Sequence, residues 1–218
     1  FYFPDNGFLQ YEGELKKLDD GSFVFQGQGT LYNQTGQSVY QGLWEDGTRS
    51  GNGTAWLEDG SIYSGNWVDD YPDGKGTYLF PDGTEYEGGF IRGKKHGQGT
   101  FKEADGFVSY DGEWKDGQRF GKGRVNKRDS SSYDGDWLDG KPHGNGMFTY
   151  PDGRVYTGTM KQGLRQGLGE LRRSDGSIAY EGEWDKNLRH GKGKAYSASG
   201  LIKFDGDFLE GFQSGTGS

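Results

Sequence analysis

Aromatic residues and glycines alternate with polar residues at fixed places along the whole chain. Tyr180, Gly182 and Trp184 occupy alternate positions, with Glu181 and Glu183 between them. A period of two puts the rings and the glycine on one face of a strand and the carboxylates on the other. The same skeleton, a ring with glycine two residues on, starts at Tyr11, Tyr40, Tyr63, Tyr86, Tyr110, Tyr133, Tyr156, Tyr180 and Phe204. The steps between these are 29, 23, 23, 24, 23, 23, 24 and 24 residues. Self-similarity at such a period marks a repeat array. Residues 1–218 therefore read as one array of about nine units, with both ends falling inside a repeat.

The register within a unit is tighter still. From the fifth position (Trp44, Trp67, Phe90, Trp114, Trp137, Met160, Trp184, Phe208) the next Gly-x-Gly follows after seven residues. In the first unit Leu15 to Gly27 is twelve, and the extra residues within Lys16 to Phe25 read as a longer hairpin loop. The fifth position from Gly-x-Gly is Leu31, Ala55, Tyr78, Phe101, Val125, Phe148, Leu171 or Ala195, apolar throughout. Each unit thus predicts a β-hairpin whose strands, about five residues long, share one buried face. Asp-Gly supplies positive φ for the turns, as Asp46-Gly47, Asp116-Gly117 and Asp139-Gly140 within units and Asp59-Gly60, Asp82-Gly83, Asp105-Gly106, Asp152-Gly153 and Asp175-Gly176 between them. Asn187 stands in for one such glycine, while Asp69-Asp70 and Asp129-Ser130 depart from the rule and are expected to be the least regular turns. Glycine in a strand interior signals close approach to the backbone. The Tyr and Trp rings are therefore expected to pack across the glycines of neighbouring strands, so that the sheet buries its aromatics without a second layer.

Composition alone would mislead. With 43 glycines, 30% hydrophobic residues and a mean hydropathy of −0.97, the chain leans towards disorder. Against this stand 14 Phe, 14 Tyr and 6 Trp at fixed positions. There is no cysteine, hence no disulfide or thiolate metal site. No signal peptide and no apolar run long enough to cross a bilayer is seen. Tyr2-Phe3-Pro4-Asp5-Asn6-Gly7 parallels Tyr78-Leu79-Phe80-Pro81-Asp82-Gly83, and Gly215-Thr216-Gly217 opens a further second strand. Neither end resembles a polar capping unit, which points to a longer array.

Candidate chemistry is sparse. No Gly-x-Gly extends to a phosphate-loop motif or precedes a helix. His96, His143 and His190 lie just before Gly-x-Gly, 47 residues apart. That is two units, or about 19 Å from the strand spacing, too far to share one metal. The pairs Asp111/Glu113, Asp134/Asp136, Glu181/Glu183 and Asp205/Asp207 recur with the array. They read as a solvated stripe that discourages sheet-to-sheet sticking, not as a catalytic dyad. No serine or threonine has a triad around it, so no enzyme is expected. Basic residues gather at Lys122, Arg124, Lys127 and Arg128, at Arg172 and Arg173, and at Lys192, Lys194 and Lys203. A net charge of −8 and a pI near 5.0 argue against nucleic acid.

Tyr-x-Gly-x-Trp followed by Gly-x-Gly, with a Pro-Asp-Gly type of turn, resembles the MORN (membrane occupation and recognition nexus) repeat family along essentially the whole chain. The resemblance implies an all-β fold: an elongated, twisted antiparallel sheet of stacked β-hairpins with an aromatic-lined groove. Nine hairpins would make a rod of about 85–90 Å. It implies a non-enzymatic scaffold without cofactors, cytoplasmic and associated with the cytoskeleton or the cell cortex. Protein segments, extended or helical, would bind along Tyr40, Trp44, Tyr63, Trp67, Tyr86, Phe90, Tyr110, Trp114, Tyr133, Trp137, Tyr156, Tyr180 and Trp184. The alternative is a peripheral membrane module whose Lys122, Arg124, Lys127, Arg128, Arg172, Arg173, Lys192 and Lys194 meet phosphoinositide headgroups. An unguarded last unit further predicts a homodimer through the C-terminal repeats, with Phe204, Phe208 and Phe212 at the contact.

Overall fold

A computed structural model describes residues 9–215. The matches at Tyr2–Gly7 and at Thr216-Gly217 lie outside them. The chain falls into two compact units, residues up to 108 with Trp114–Gly117, and Ser109–Glu113 with 118 onward. The first holds β1 (Tyr11–Lys17), β2 (Phe23–Tyr32), β3 (Ser38–Glu45), β4 (Thr48–Trp56), β5 (Ile62–Val68), β6 (Tyr71–Leu79), β7 (Glu85–Ile91) and β8 (Lys94–Lys102). β9 (Val108–Lys115) contributes residues to both. The second holds β10 (Gln118–Asn126), β11 (Ser132–Leu138), β12 (Lys141–Thr149), β13 (Val155–Lys161), β14 (Leu164–Arg172), β15 (Ile178–Asp185), β16 (Leu188–Tyr196), β17 (Ile202–Leu209) and β18 (Phe212–Ser214). No helix occurs among the described residues, and within each unit consecutive strands pair antiparallel. The fold is all-β, built of successive hairpins.

The glycines form a continuous row through each unit. Gly29 faces Gly42, Gly42 faces Gly53, and Gly53 faces Gly65; Gly123, Gly135, Gly146 and Gly158 do the same. The strands are longer than the five residues expected, most of them seven to nine. The reason is a bulge inside the hairpins, seen as a register shift in β1–β2, β3–β4, β5–β6, β7–β8, β11–β12, β13–β14 and β15–β16. On β3 and β4, Gly42 faces Gly53 and Trp44 faces Arg49, so Leu43 stands opposite three residues, Ser50 to Asn52. Two residues are inserted, an even number, so the facing pattern survives the insertion. Gly51, at φ 57, makes the bend.

Asp-Gly serves two different turns. Within hairpins both residues have positive φ, 47 and 87 at Asp46-Gly47, the two-residue turn that suits strand twist. Between hairpins only the glycine does: Gly60 has φ 88, and its N–H bonds the Leu57 carbonyl at 3.0 Å. There the aspartate carboxylate accepts the N–H two residues on, as Asp59 does from Ser61. The expectation of irregular turns at Asp69-Asp70 and Asp129-Ser130 is corrected. Asp69 and Asp70 take φ 47 and 67, and Ser130 takes 67 in the glycine's place. Small polar residues tolerate this region, and local hydrogen bonds hold them there. The first unit's extra residues do make a longer hairpin loop. Leu18 to Ser22 separate β1 from β2, against two residues within the other hairpins, and they take the between-hairpin turn geometry with Gly21 at φ 88.

Candidate partner-binding face

The ring face follows from the bulge. Leu43, opposite three residues, has a carbonyl outside the regular ladder, and the Tyr40 hydroxyl donates to it at 3.0 Å. Tyr63, Tyr86, Tyr110, Tyr133, Tyr156 and Tyr180 repeat this bond three residues on, at 2.9–3.0 Å. To get there each phenol lies flat over a glycine of the next strand. A Cβ on Gly146 would stand 2.6 Å from Tyr133 Cζ. The indoles reach the other way. Trp67 Nε1 donates to the Gly53 carbonyl at 3.0 Å, Trp114 to Gly99 at 2.9 Å, Trp137 to Gly123 at 2.8 Å and Trp184 to Gly169 at 3.1 Å. A Tyr with rings in both adjoining repeats thus meets two of them edge-on, as Tyr40 meets Trp44 at 4.9 Å and Trp67 at 5.5 Å. Tyr133 and Tyr156, by contrast, adjoin Met160 and meet Trp137 and Trp184 respectively. Burial pushes the phenols of Tyr40, Tyr86, Tyr156 and Tyr180 up to about 12 and raises those of Tyr63 and Tyr133 as well. They remain neutral donors.

Over these rings lies a layer that the sequence reading missed. Two residues before Gly-x-Gly stand Arg49, Pro72, Lys95, Arg119, Pro142, Arg165 and Arg189. The cations cover the ring of the next repeat. Arg49 is 4.2 Å from the Trp67 centroid, Arg165 is 4.0 Å from Trp184, and Arg189 is 5.1 Å from Phe208. Lys95 sits about equally far from four rings, 4.8 Å from Phe101 and Trp114 and 5.1 Å from Phe80 and Tyr86. In the first hairpin Phe25 takes the cation's place, stacked on Tyr11 at 3.9 Å. The recurrence of Arg, Lys and Pro at this one position was the signal available.

The structure places the predicted groove aromatics in the core. Tyr40, Tyr63, Tyr86, Tyr110, Tyr133, Tyr156 and Tyr180 expose 2% or less, and Trp44, Trp67, Phe90, Trp114, Trp137 and Trp184 expose 7% or less. What faces solvent on this side is the cation layer and the half-buried Leu31, Tyr78, Phe101, Val125, Phe148 and Leu171. Those six were expected to be buried; only Ala55 and Ala195 at that position are. Among the described residues the strands pack chiefly on their chain neighbours, which leaves the larger side chains at this position half-buried.

Two further calls are corrected. Phe204 and Phe208 are core rings, 9% and 2% exposed, and Phe208 meets Tyr180 at 5.1 Å. Phe212 is 78% exposed but pairs with Leu209, so it lies on the face opposite Phe204 and Phe208. The three cannot form one aromatic contact. The carboxylates are not simply a solvated stripe either. Glu113, Asp136 and Glu183 accept the N–H of the residue inside Gly-x-Gly at 2.8–3.0 Å and so clamp the bulge.

The basic residues of the lipid reading are largely engaged. Lys122 pairs with Asp136, Arg172 with Glu170 at 2.6 Å, Lys192 with Asp207 at 3.5 Å and Lys194 with Asp205 at 3.3 Å. Arg173 reaches the carbonyls of Ile178 and Tyr196, and Arg124 the Asn126 amide oxygen. Lys127 and Arg128 are exposed at the turn between β10 and β11. His96 and His143 keep a buried Nδ1. Among the described residues no three His, Cys, Asp or Glu side chains gather as a metal site, and no helix is long and apolar enough to cross a membrane.

The MORN repeat profile matches residues 40–62, 63–85, 86–107, 110–125, 133–153, 156–178 and 180–202, well over half of the chain. The chain belongs to the MORN repeat family. The hairpins starting at Tyr11 and Phe204 share the geometry but lie outside the seven matched MORN repeats. No curated protein matches the sequence. Among solved structures, the chain is similar to the TCP domain of SAS-4 (dCPAP) of Drosophila melanogaster, solved with a proline-rich motif of Ana2 (dSTIL). Identity is 14%, over 70% of this chain and 82% of that one, with a TM-score of 0.42. It is also similar to a point mutant of the TCP10 domain of Danio rerio CPAP, at 11% identity over 90% and 100%, with a TM-score of 0.30.

Proposed function

We propose that this MORN array is a non-enzymatic scaffold that binds protein segments along its ring face, within a cytoskeleton-associated assembly. The observation that carries this reading is the face itself. Buried rings form a floor, cations lie on the rings at repeat intervals, and half-buried apolar side chains stand between them, in part open to solvent. Such a surface offers a partner apolar contact and charge in a fixed spacing, the mixture that protein interfaces use. The carboxylates, by contrast, are occupied in ion pairs and bulge clamps. The test is capture of partners by the full-length protein. Val125→Ser with Phe148→Ser on the ring face should lose them, while Met147→Ser with Leu168→Ser on the opposite face should keep them, all variants retaining a β spectrum. Equal retention by both would refute the reading.

A further inference from the structure

Arg49 and Arg165 hold equivalent places, each two residues before Gly-x-Gly and each over the indole of the following repeat. Their counterparts across the turn differ. Arg49 donates from its backbone N and Nε to the Asp70 carboxylate, both at 2.9 Å, and from Nη2 to the Asp70 carbonyl at 2.9 Å. Arg165 makes the same three contacts with Asn187, whose side chain is neutral, at 2.9, 3.4 and 2.6 Å. One guanidinium is compensated by a carboxylate and the other is not.

The surroundings of Arg165 add to the deficit. Arg189, its equivalent in the next repeat, has a carbonyl as partner, that of Gly211 at 2.7 Å. Burial lowers the Arg165 pKa, with Tyr150 and Tyr156 acting against it and the Arg154 charge adding to it. Two adjoining hollows, of about 320 and 360 Å³, share Arg165 and Asn187 in their walls. Leu171 and Trp184 help to line the first, and no acidic side chain lines either. Arg154 is paired with Asp152 at 2.7 Å, so the charge left without a carboxylate in this half-apolar place is that of Arg165 and Arg189.

We propose that this hollow takes carboxylate side chains of an acidic, extended segment of a protein partner. The proposal rests on the protein-binding reading above and names the partner's chemistry. Arg165 and Arg189 sit on β14 and β16, two strand spacings apart, or about 10 Å. Three residues of an extended polyproline II chain, at about 3.1 Å each, span the same distance and bring the next side chain back to the same face. Acidic residues three apart, with apolar side chains between them for Leu171 and Trp184, fit both guanidiniums, and guanidinium–carboxylate bonds are strong where water is partly excluded.

The experiment uses the full chain on an array of short peptides. Pairs of Asp are set at spacings from adjacent to six apart among Leu and Ala, with matched copies carrying Asn or phosphoserine. Binding should favour Asp pairs three apart and weaken as NaCl rises from about 50 to 500 mM. Asn187→Asp gives Arg165 the carboxylate that Arg49 already has, in a turn that tolerates it at Asp70. It should weaken Asp-peptide binding about tenfold without lowering thermal stability. Binding indifferent to Asp against Asn, preference for phosphoserine or for phosphoinositide vesicles, or binding unchanged in Asn187→Asp would each overturn the proposal. If peptides bind regardless of charge but Val125→Ser with Phe148→Ser abolishes it, the acidic chemistry fails and the protein-binding reading stands. If no peptide binds and the full-length protein captures no partner on this face, both fail.

Discussion

The Tyr133 phenol occupies the space that a Cβ on Gly146 would need, and from there its hydroxyl donates to the Asp136 carbonyl at 2.9 Å. The glycine, the ring and the bulge are therefore one device. Removing the hydroxyl with Tyr133→Phe should cost about 1 kcal/mol, since it leaves a shielded carbonyl without its donor. Gly146→Ala forces the ring out and should cost more, about 1–3 kcal/mol. Urea denaturation of both variants checks the order. A Gly146→Ala chain as stable as the parent would mean that the ring does not rest on that glycine.

Trp137→Ala removes an indole wedged between Tyr110 and Tyr133, Trp114→Ala one that meets Tyr86 edge-on, and each loses its bond to a glycine carbonyl. The expected cost is about 3–5 kcal/mol. Trp137→Phe should be milder, because Phe90 and Phe208 occupy the equivalent place elsewhere at 4% and 2% exposure. Denaturation midpoints for the three variants test this, and equal losses from Ala and Phe would count against it.

How much of this was legible can be judged residue by residue. The Tyr180-Gly182-Trp184 alternation gave the buried face, because a period of two survives an even-numbered insertion. The insertion itself was not legible. Gly191 and Gly193 read as one strand motif, while Gly191 at φ 53 is the bend and Gly193 the bed for Tyr180. Arg165 escaped notice because its ring partner, Trp184, is one repeat away and nothing local marks the pair. Phe212 was put on the wrong face because parity was counted through a two-residue turn. Asp70 and Asn187 looked like departures from Asp-Gly, yet each is fixed by the arginine across from it.

The buried phenols make stability fall at high pH. Tyr40, Tyr86, Tyr156 and Tyr180 hold their protons up to about 12 in the folded chain, against about 10 when unfolded. Their contribution is complete below pH 10 and is lost as pH rises through 12. Tyrosinate absorbance and the β spectrum should therefore change together in one steep step above pH 10. Buried tyrosines that ionise near 10 while the strands persist would show that the rings are reachable by water.

At the Arg49–Asp70 turn, Asp70→Ala removes the carboxylate that accepts two Arg49 bonds and puts alanine at φ 67. About 1–3 kcal/mol should be lost, whereas Asp70→Gly, which relieves the backbone, should lose less. Thermal melts that rank Gly below Ala would contradict this account of the turn.

The claim that the ring face receives partners is tested most directly by site-specific photo-crosslinking in cells with the full-length protein. A crosslinking residue at Leu171, half-buried on the ring face, is compared with one at Leu168, three positions earlier, 69% exposed on the other face. The account predicts discrete covalent adducts from position 171 that disappear with Val125→Ser and Phe148→Ser, and none from position 168. Adducts from 168 alone would place the partner on the opposite face and contradict it.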